Sequence, residues 1–357
     1  MSIILGIEST AHTFGIGIVK NGKILSNIRS MYSVEKGGII PVDSAKHHRE
    51  IAEEIYNKSL KEANIEEKDI DAVAFSQGPG LAPCLIEGIK FTKKIAKKLN
   101  APIIPVNHCV AHLEIGAITG ATDAVLLYCS GANTQVISYA SGKYRVFGET
   151  LDIGVGNFID NFARYVGIGF PGGPKIEQLA KESKNYIELP YKVKGMDVAF
   201  SGILTNLKQK LEAQIKSLQS NPRPPSPRNQ LLNKKPISNL KEDYTIADLS
   251  YSLQETAFAM LVEVAERALA HIGKKELLLG GGVACNFRLQ EMCKIMCEER
   301  GARFFCPSRD LLVDNGAMIA YLGEIMFNKG IKFFPKDFDK VDILSRQRTD
   351  DVVVRWK

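Results

Sequence analysis

With 357 residues, 45% of them hydrophobic and 24% charged, the chain can bury a large core and divide into two domains, as globular proteins of this size do. A net charge of +6 permits a polyanionic partner without demanding one. No apolar run approaches the roughly 20 residues that span a bilayer, the N-terminus lacks the basic flank and cleavage site of a signal peptide, and seven scattered cysteines without a CxxC pair exclude a disulfide framework and a structural zinc site. A cytoplasmic protein without membrane contact is expected.

Ile3–Val19 holds two β-rich runs around the hydroxyl-rich loop Glu8-Ser9-Thr10-Ala11-His12-Thr13, and Asn21-Gly22 makes a second tight turn into Lys23–Ser30. A helix is expected over Asp43–Asn64, a buried strand over Ala72–Ser76, the loop Gln77-Gly78-Pro79-Gly80, and a helix over Pro83–Leu99. On that last helix Lys90, Lys93, Lys94, Lys97 and Lys98 form a stripe opposite Ile86, Ile89, Ala96 and Leu99, which is either a solvated face or a contact for a phosphate backbone. Strand Ile103–Val106 then leads into Asn107, a good N-cap, followed by His108 and His112. Residues i and i+4 share a helix face at about 5–6 Å between Cβ atoms, so the two imidazoles can reach one metal ion. The plain alternative is two polar residues on a helix face.

The pattern then restarts. Ala124–Tyr128, the turn Cys129–Gln135 and Val136–Tyr139 again make strand, polar loop and strand, about 120 residues after the first hairpin, a period that indicates a duplicated fold rather than a solenoid. Lys143–Phe147 follows, and Asp160 lies in a helix-like run. Phe170-Pro171-Gly172-Gly173-Pro174 places Glu177 just beyond a Gly-Gly loop. Residues 217–243, rich in Pro and Lys, have the composition of a flexible basic excursion. A long helix is expected over Ala247–Ile272 and a strand over Glu276–Leu279, which ends in Gly280-Gly281-Gly282, with Asn286 and Arg288 at the next helix start. Cys293 and Cys297, four apart on that helix, are read as buried thiols or part of a helix face. The last core helix begins near Asp314-Asn315-Gly316-Ala317, and the tail after Gly330 has no clear periodicity.

The turns carry the chemistry. Glu8–Thr13 and Ser130–Thr134 can offer backbone N–H groups to phosphate oxygens, and Gly280–Gly282 lets a ligand approach the backbone closely. Asp160 and Glu177 can accept hydrogen bonds from ribose hydroxyls. Together they indicate a nucleotide held between two lobes. No turn matches a P-loop or a Gly-x-Gly-x-x-Gly dinucleotide turn.

Glu8-Ser9-Thr10, Gln77-Gly78-Pro79-Gly80, Val106-Asn107-His108-Cys109-Val110-Ala111-His112, Ser130-Gly131-Ala132-Asn133-Thr134, Phe170-Pro171-Gly172-Gly173-Pro174 and Asp314-Asn315-Gly316-Ala317 stand in the order of the TsaD/Gcp family. The chain resembles that family from about Ile3 to Gly323, and in particular its archaeal and eukaryotic branch. The resemblance implies an α/β fold, the duplicated actin-like (ASKHA, sugar kinase/Hsp70-like) fold, with a nucleotide cleft between lobes at 1–120 and 121–325 and a tail at 326–357. It implies one divalent metal, Fe or Zn, on His108, His112, Tyr128 and Asp314. It implies an ATP/AMP-type nucleotide or threonylcarbamoyl-AMP on Tyr128, Cys129, Ser130, Gly131, Ala132, Asn133, Asp160, Gly173, Glu177 and Asn286. Ala132 stands where a glycine is usual, Ile40 stands where His is common, and the 217–243 insertion is long for the family.

The activity implied is tRNA N6-adenosine threonylcarbamoyl transfer. The group would pass from threonylcarbamoyl-AMP to the adenosine 3′ of the anticodon in ANN-decoding tRNAs. The enzyme would be the catalytic subunit of a KEOPS-type complex with tRNA, a small kinase subunit and other small subunits. An actin-like ATPase or sugar kinase and a non-catalytic scaffold are the alternatives. A metalloprotease is disfavoured, because a zincin needs Glu directly after the first histidine and Cys109 stands there.

Overall fold

The computed structural model describes residues 2–34, 38–219 and 244–357. Strands β1 (Ile3–Glu8), β2 (Thr13–Lys20) and β3 (Lys23–Met31) form a meander. Its second turn uses Asn21 and Gly22, both at positive φ, as a tight hairpin turn requires. Helix α1 (Pro41–Ala63), β4 (Ala72–Gly78), α2 (Ala82–Leu99) and β5 (Ile103–Asn107) follow. The short helix α3 (His108–Glu114) starts directly from β5, and Asn107 caps it by accepting from Val110 N.

The second half repeats the plan. It runs β6 (Val125–Cys129), β7 (Thr134–Ala140), β8 (Lys143–Glu149), α4 (Val155–Tyr165), α5 (Gly173–Lys181) and the small hairpin β9 (Val193–Lys194) and β10 (Asp197–Val198). Then come α6 (Ser201–Gln219), α7 (Ile246–Ile272), β11 (Glu276–Gly280), α8 (Phe287–Glu299), β12 (Arg303–Phe305), α9 (Arg309–Leu312) and α10 (Gly316–Asn328). The excursion expected at 217–243 begins inside α6, and residues 220–243 lie outside the described residues.

The duplication is visible in the sheets. The first has the order β3-β2-β1-β4-β5 and the second β8-β7-β6-β11-β12. In each, the first three are antiparallel and the last two join in parallel. Parallel neighbours need crossover helices, and these bury the second sheet against Phe158, Phe162, Phe258 and Leu261.

Helix α10, from the end of the chain, packs on the first sheet through glycines. A Cβ on Gly17 would stand 2.2 Å from Ala317 N, and one on Gly316 would stand 2.2 Å from Gly17 N. The tail after Gly330 docks, with Phe338, Val341, Val352 and Trp356 buried. The lysine stripe is largely neutralised: Lys90 pairs with Glu87, Lys94 with Glu53 and Lys98 with Glu67, while Lys93 donates to the Val341 carbonyl. Ile86, expected on the buried side of α2, is 39% exposed.

Candidate functional site

Helix α3 places His108 and His112 on one buried face, with ring centroids 4.8 Å apart. Tyr128, near the end of β6, sets its hydroxyl 3.0 Å from His108 Nε2. Asp314, just before α10, brings Oδ1 to 3.4 Å from His108 Nε2 and 3.5 Å from His112 Nε2. Four residues from two halves of the chain thus converge on one point. The ligand atoms of His108, His112 and Asp314 lie within 4.8 Å of one another, the one such trio among the described residues.

Burial opposes charge here, but Tyr128, Glu8 and Asp314 outweigh it for His108 and hold its ring well above the usual histidine range. Burial leaves His112 lowered. For Asp314 burial is outweighed by the His108 charge and by the close approach of both imidazoles, which hold the carboxyl well below its usual range. Burial pushes the Tyr128 phenol up. Neither ring nitrogen of His112 completes a hydrogen bond, although the residue is buried. A buried imidazole without partners fits a metal ligand, and two nitrogens with carboxylate and phenol oxygens fit Zn²⁺ or Fe.

Glu8 was not foreseen at this centre. Its carboxylate is fully buried at the end of β1, and Oε2 lies 2.9 Å from His108 Nδ1. Oε1 accepts from Thr10 N at 2.7 Å and from the Thr10 hydroxyl. A carboxylate on Nδ1 fixes the tautomer and turns Nε2 toward the ligand point. Within the Glu8–Thr13 turn, Thr10 N is spent on Glu8 and Ser9 N on Ser76 Oγ, so these two amides are not open to an anion. The zincin alternative fails in the same geometry, since Glu114 turns away to Tyr144 and Lys357.

The nucleotide candidates lie on the β6–β7 turn that follows Tyr128 and on the loops and helix starts near Asp160, Glu177 and Asn286. Ser130 and Asn133 close the β6–β7 turn on themselves. Gly131 and Ala132 at its tip are exposed, and their amides take no part in the turn's own hydrogen bonds. Cys129 is buried beneath it, and Gly281, at φ +89°, passes so near that a Cβ would stand 2.4 Å from the Cys129 carbonyl. Asp160 Oδ1 accepts from Gly172 N at 2.7 Å, which ties α4 to the loop that carries Gly173. Burial raises the Asp160 carboxyl, against the pull of the Gly172 and Gly173 amides. Glu177 Oε1 accepts from Phe287 N at 3.2 Å, so Glu177 and Asn286 stand side by side. Asn286 caps α8 and donates to Gln254.

The sequence profile of the family described as "TsaD: tRNA N6-adenosine threonylcarbamoyltransferase" matches residues 23–321. The chain belongs to this family. A tRNA N6-adenosine threonylcarbamoyltransferase of Thermococcus sibiricus is 49% identical over 354 residues, which cover 99% of this chain and 100% of that one. A probable bifunctional tRNA threonylcarbamoyladenosine biosynthesis protein of Methanosarcina mazei is 48% identical over 99% of this chain but only 60% of its own length. Among solved structures, HypF of T. kodakarensis aligns with a TM-score of 0.56 at 15% identity, over 92% of this chain and 48% of that one. That likeness concerns the fold alone, and the duplicated sheets are those of the actin-like class. This family member is thus a threonylcarbamoyltransferase, an enzyme of tRNA modification.

Proposed function

We propose that this enzyme moves the threonylcarbamoyl group of threonylcarbamoyl-AMP onto N6 of the adenosine 3′ of the anticodon in ANN-decoding tRNAs. The observation that carries the proposal is the buried His108–His112–Tyr128–Asp314 convergence beside the Ser130–Asn133 turn, in a chain aligned end to end with relatives of that name. His108, His112, Tyr128 and Asp314 would hold one Zn²⁺ or Fe ion, which when bound supplies a Lewis acid for the acyl part of the donor.

The chain's own residues do the rest. Amides of Gly131 and Ala132 meet the phosphate, while Glu177 and Asn286 accept from or donate to the ribose. Asp160 holds the Gly172–Gly173 loop in place to receive the nucleotide. The donor is already an activated mixed anhydride, so positioning and electrostatics suffice. The amine attacks the carbonyl, AMP departs with the bonding electrons of the anhydride, and the amine proton passes to the departing phosphate or to solvent. No covalent enzyme intermediate is required.

The two lobes at 1–120 and 121–325 would close on the donor, and the tail at 326–357 would brace them. A cytoplasmic setting agrees with seven free thiols, and no helix of the described residues is long and apolar enough to cross a membrane. A small kinase subunit and other small KEOPS subunits are proposed as partners. The M. mazei relative, whose name is bifunctional and whose length exceeds the match, agrees with a second activity working beside this one.

The test is transfer of radiolabelled threonine into ANN-decoding tRNA. ATP, bicarbonate, an adenylate-forming enzyme and the partner subunits are supplied, and native protein is compared with His108→Ala. Label with the native chain and none with the variant is the expected result. No label with the native chain, where another family member works, removes the proposal.

A further inference from the structure

Helix α3 has seven residues, about two turns, too few to hold a helix in place without tertiary support. Yet it must set two imidazoles on one point. The residues that grip its two ends come from the same place, the segment after α10, which lies beyond residue 321, where the family profile stops matching.

At the start of α3, Asn107 uses both halves of its amide. Its Oδ1 caps Val110 N at 3.0 Å, and its Nδ2 donates to Gln347 Oε1 at 3.0 Å. Gln347 therefore decides which way the capping amide faces. One residue past His108, Thr349, itself 2% exposed, lies near the buried Cys109 thiol and lowers it against the effect of burial. At the far end, Glu114 Oε1 is held by Lys357 Nζ at 2.7 Å and by the Tyr144 hydroxyl at 2.9 Å. That hydroxyl in turn receives Trp356 Nε1 at 3.2 Å. Between α10 and these contacts the segment is pinned to the first sheet by a reciprocal pair of backbone bonds between Phe333 and Ile103. It is pinned again beside β4, where Leu344 N donates to the Gln77 carbonyl.

We infer that residues 331–357 form a strap that positions the histidine helix: Gln347 and Thr349 hold its start and Lys357 with Trp356 holds its end, so that strap contacts set the geometry and affinity of the metal site. The inference rests on the metal reading of His108, His112 and Asp314. These are positioning residues, since none of them reaches the ligand point. The arrangement is also reciprocal, because whatever orders α3 from the ligand side favours the docked strap, and the docked strap favours ligand binding.

The experiment titrates the full chain with Co²⁺ under reducing conditions and follows the visible d–d bands, with His112→Ala as the baseline for binding to thiols. Trp356 is the chain's one tryptophan, so its emission reports strap docking in the same samples. Gln347→Leu removes the acceptor for Asn107, whereas Gln347→Glu keeps it. The leucine variant should bind Co²⁺ about three- to tenfold more weakly, the worth of one hydrogen bond, with shifted bands. The glutamate variant should match the native chain. Lys357→Met, at a partly exposed position that tolerates change, should weaken binding about twofold by loosening the far grip.

Native affinity and native bands in both Gln347→Leu and Lys357→Met would overturn the strap. A leucine variant that loses native Trp356 emission leaves the decision to Lys357→Met. A native chain with no Co²⁺ bands beyond those of His112→Ala would instead remove the metal reading, and the inference with it.

Discussion

Glu8 shows how a single carboxylate far away in sequence can govern a site. It sits 100 residues before His108, fully buried, and every partner it has is a donor: Thr10 N, the Thr10 hydroxyl and His108 Nδ1. An amide in its place must turn one NH₂ face toward a donor. Glu8→Gln is therefore expected to lower metal affinity about tenfold or more, as changes to the partners of ligating histidines do; a competition titration against a chelator measures it, and unchanged affinity would refute the role. His48 is a residue of the opposite kind. It is buried on α1 against Phe14, and neither ring nitrogen completes a hydrogen bond. Burial, helped by the neighbouring His47 and His12, lowers it to about 4. The unfolded chain takes up this proton near the ordinary value of about 6.5, while the native chain refuses it until about 4. Between those values the unfolded state binds more protons, so stability falls as pH falls. The loss from pH 7 to pH 5 amounts to about 2 kcal/mol from this residue. His48→Leu should remove that part of the acid sensitivity; urea melts of both chains at the two pH values decide it, and parallel losses would reject the assignment.

At the scale of elements, the sequence was most readable where local chemistry and periodicity agree. The α3 histidines declared themselves through i, i+4 spacing, a preceding strand and an asparagine cap, and all three features are present. The two meanders were legible from their paired strand–turn–strand patterns, and the sheet orders bear out the duplication. Glu8 was not, because a carboxylate closing a strand looks the same whether it meets water or an imidazole contributed by a distant helix. Nor was the docked tail, whose buried residues Phe338, Val341, Val352 and Trp356 enter different clusters at irregular intervals and so leave no period to detect. The seating of α10 falls in the same class. Alternating Gly15 and Gly17 in a strand weaken it locally, and only the approach of α10 explains them. Because the groups that a Cβ on Gly17 would strike are backbone atoms of Ala317 and Gly316, no rotamer change relieves the clash. Gly17→Ala should cost about 3 kcal/mol or more, at the upper end of overpacking, measured as a shift in denaturant midpoint at constant m-value. A loss under 1 kcal/mol would mean that α10 slides freely on the sheet.

For the whole molecule, the placement of the proposed metal-binding residues matters more than their number. His108 and His112 follow the first sheet, while Tyr128 and Asp314 come from the second half of the chain, so an ion held by all four would join the two halves. A ligand that binds only the native state stabilises it by RT ln(1 + [L]/Kd), about 2.7 kcal/mol at a hundredfold excess over Kd. Seven free cysteines complicate the measurement, since unfolded thiols also bind soft metals and oppose the gain. The comparison with His112→Ala isolates the site, because that variant keeps every thiol and loses one ligand. Zn²⁺ should raise the unfolding free energy of the native chain by about 2 kcal/mol more than that of the variant. It should do so in a single transition, since a joint between the halves cannot stabilise one and leave the other to melt alone. Two separate transitions, with only one of them moved by the ion, would show that the site closes within one half and that the halves are held by the α10 and tail contacts instead.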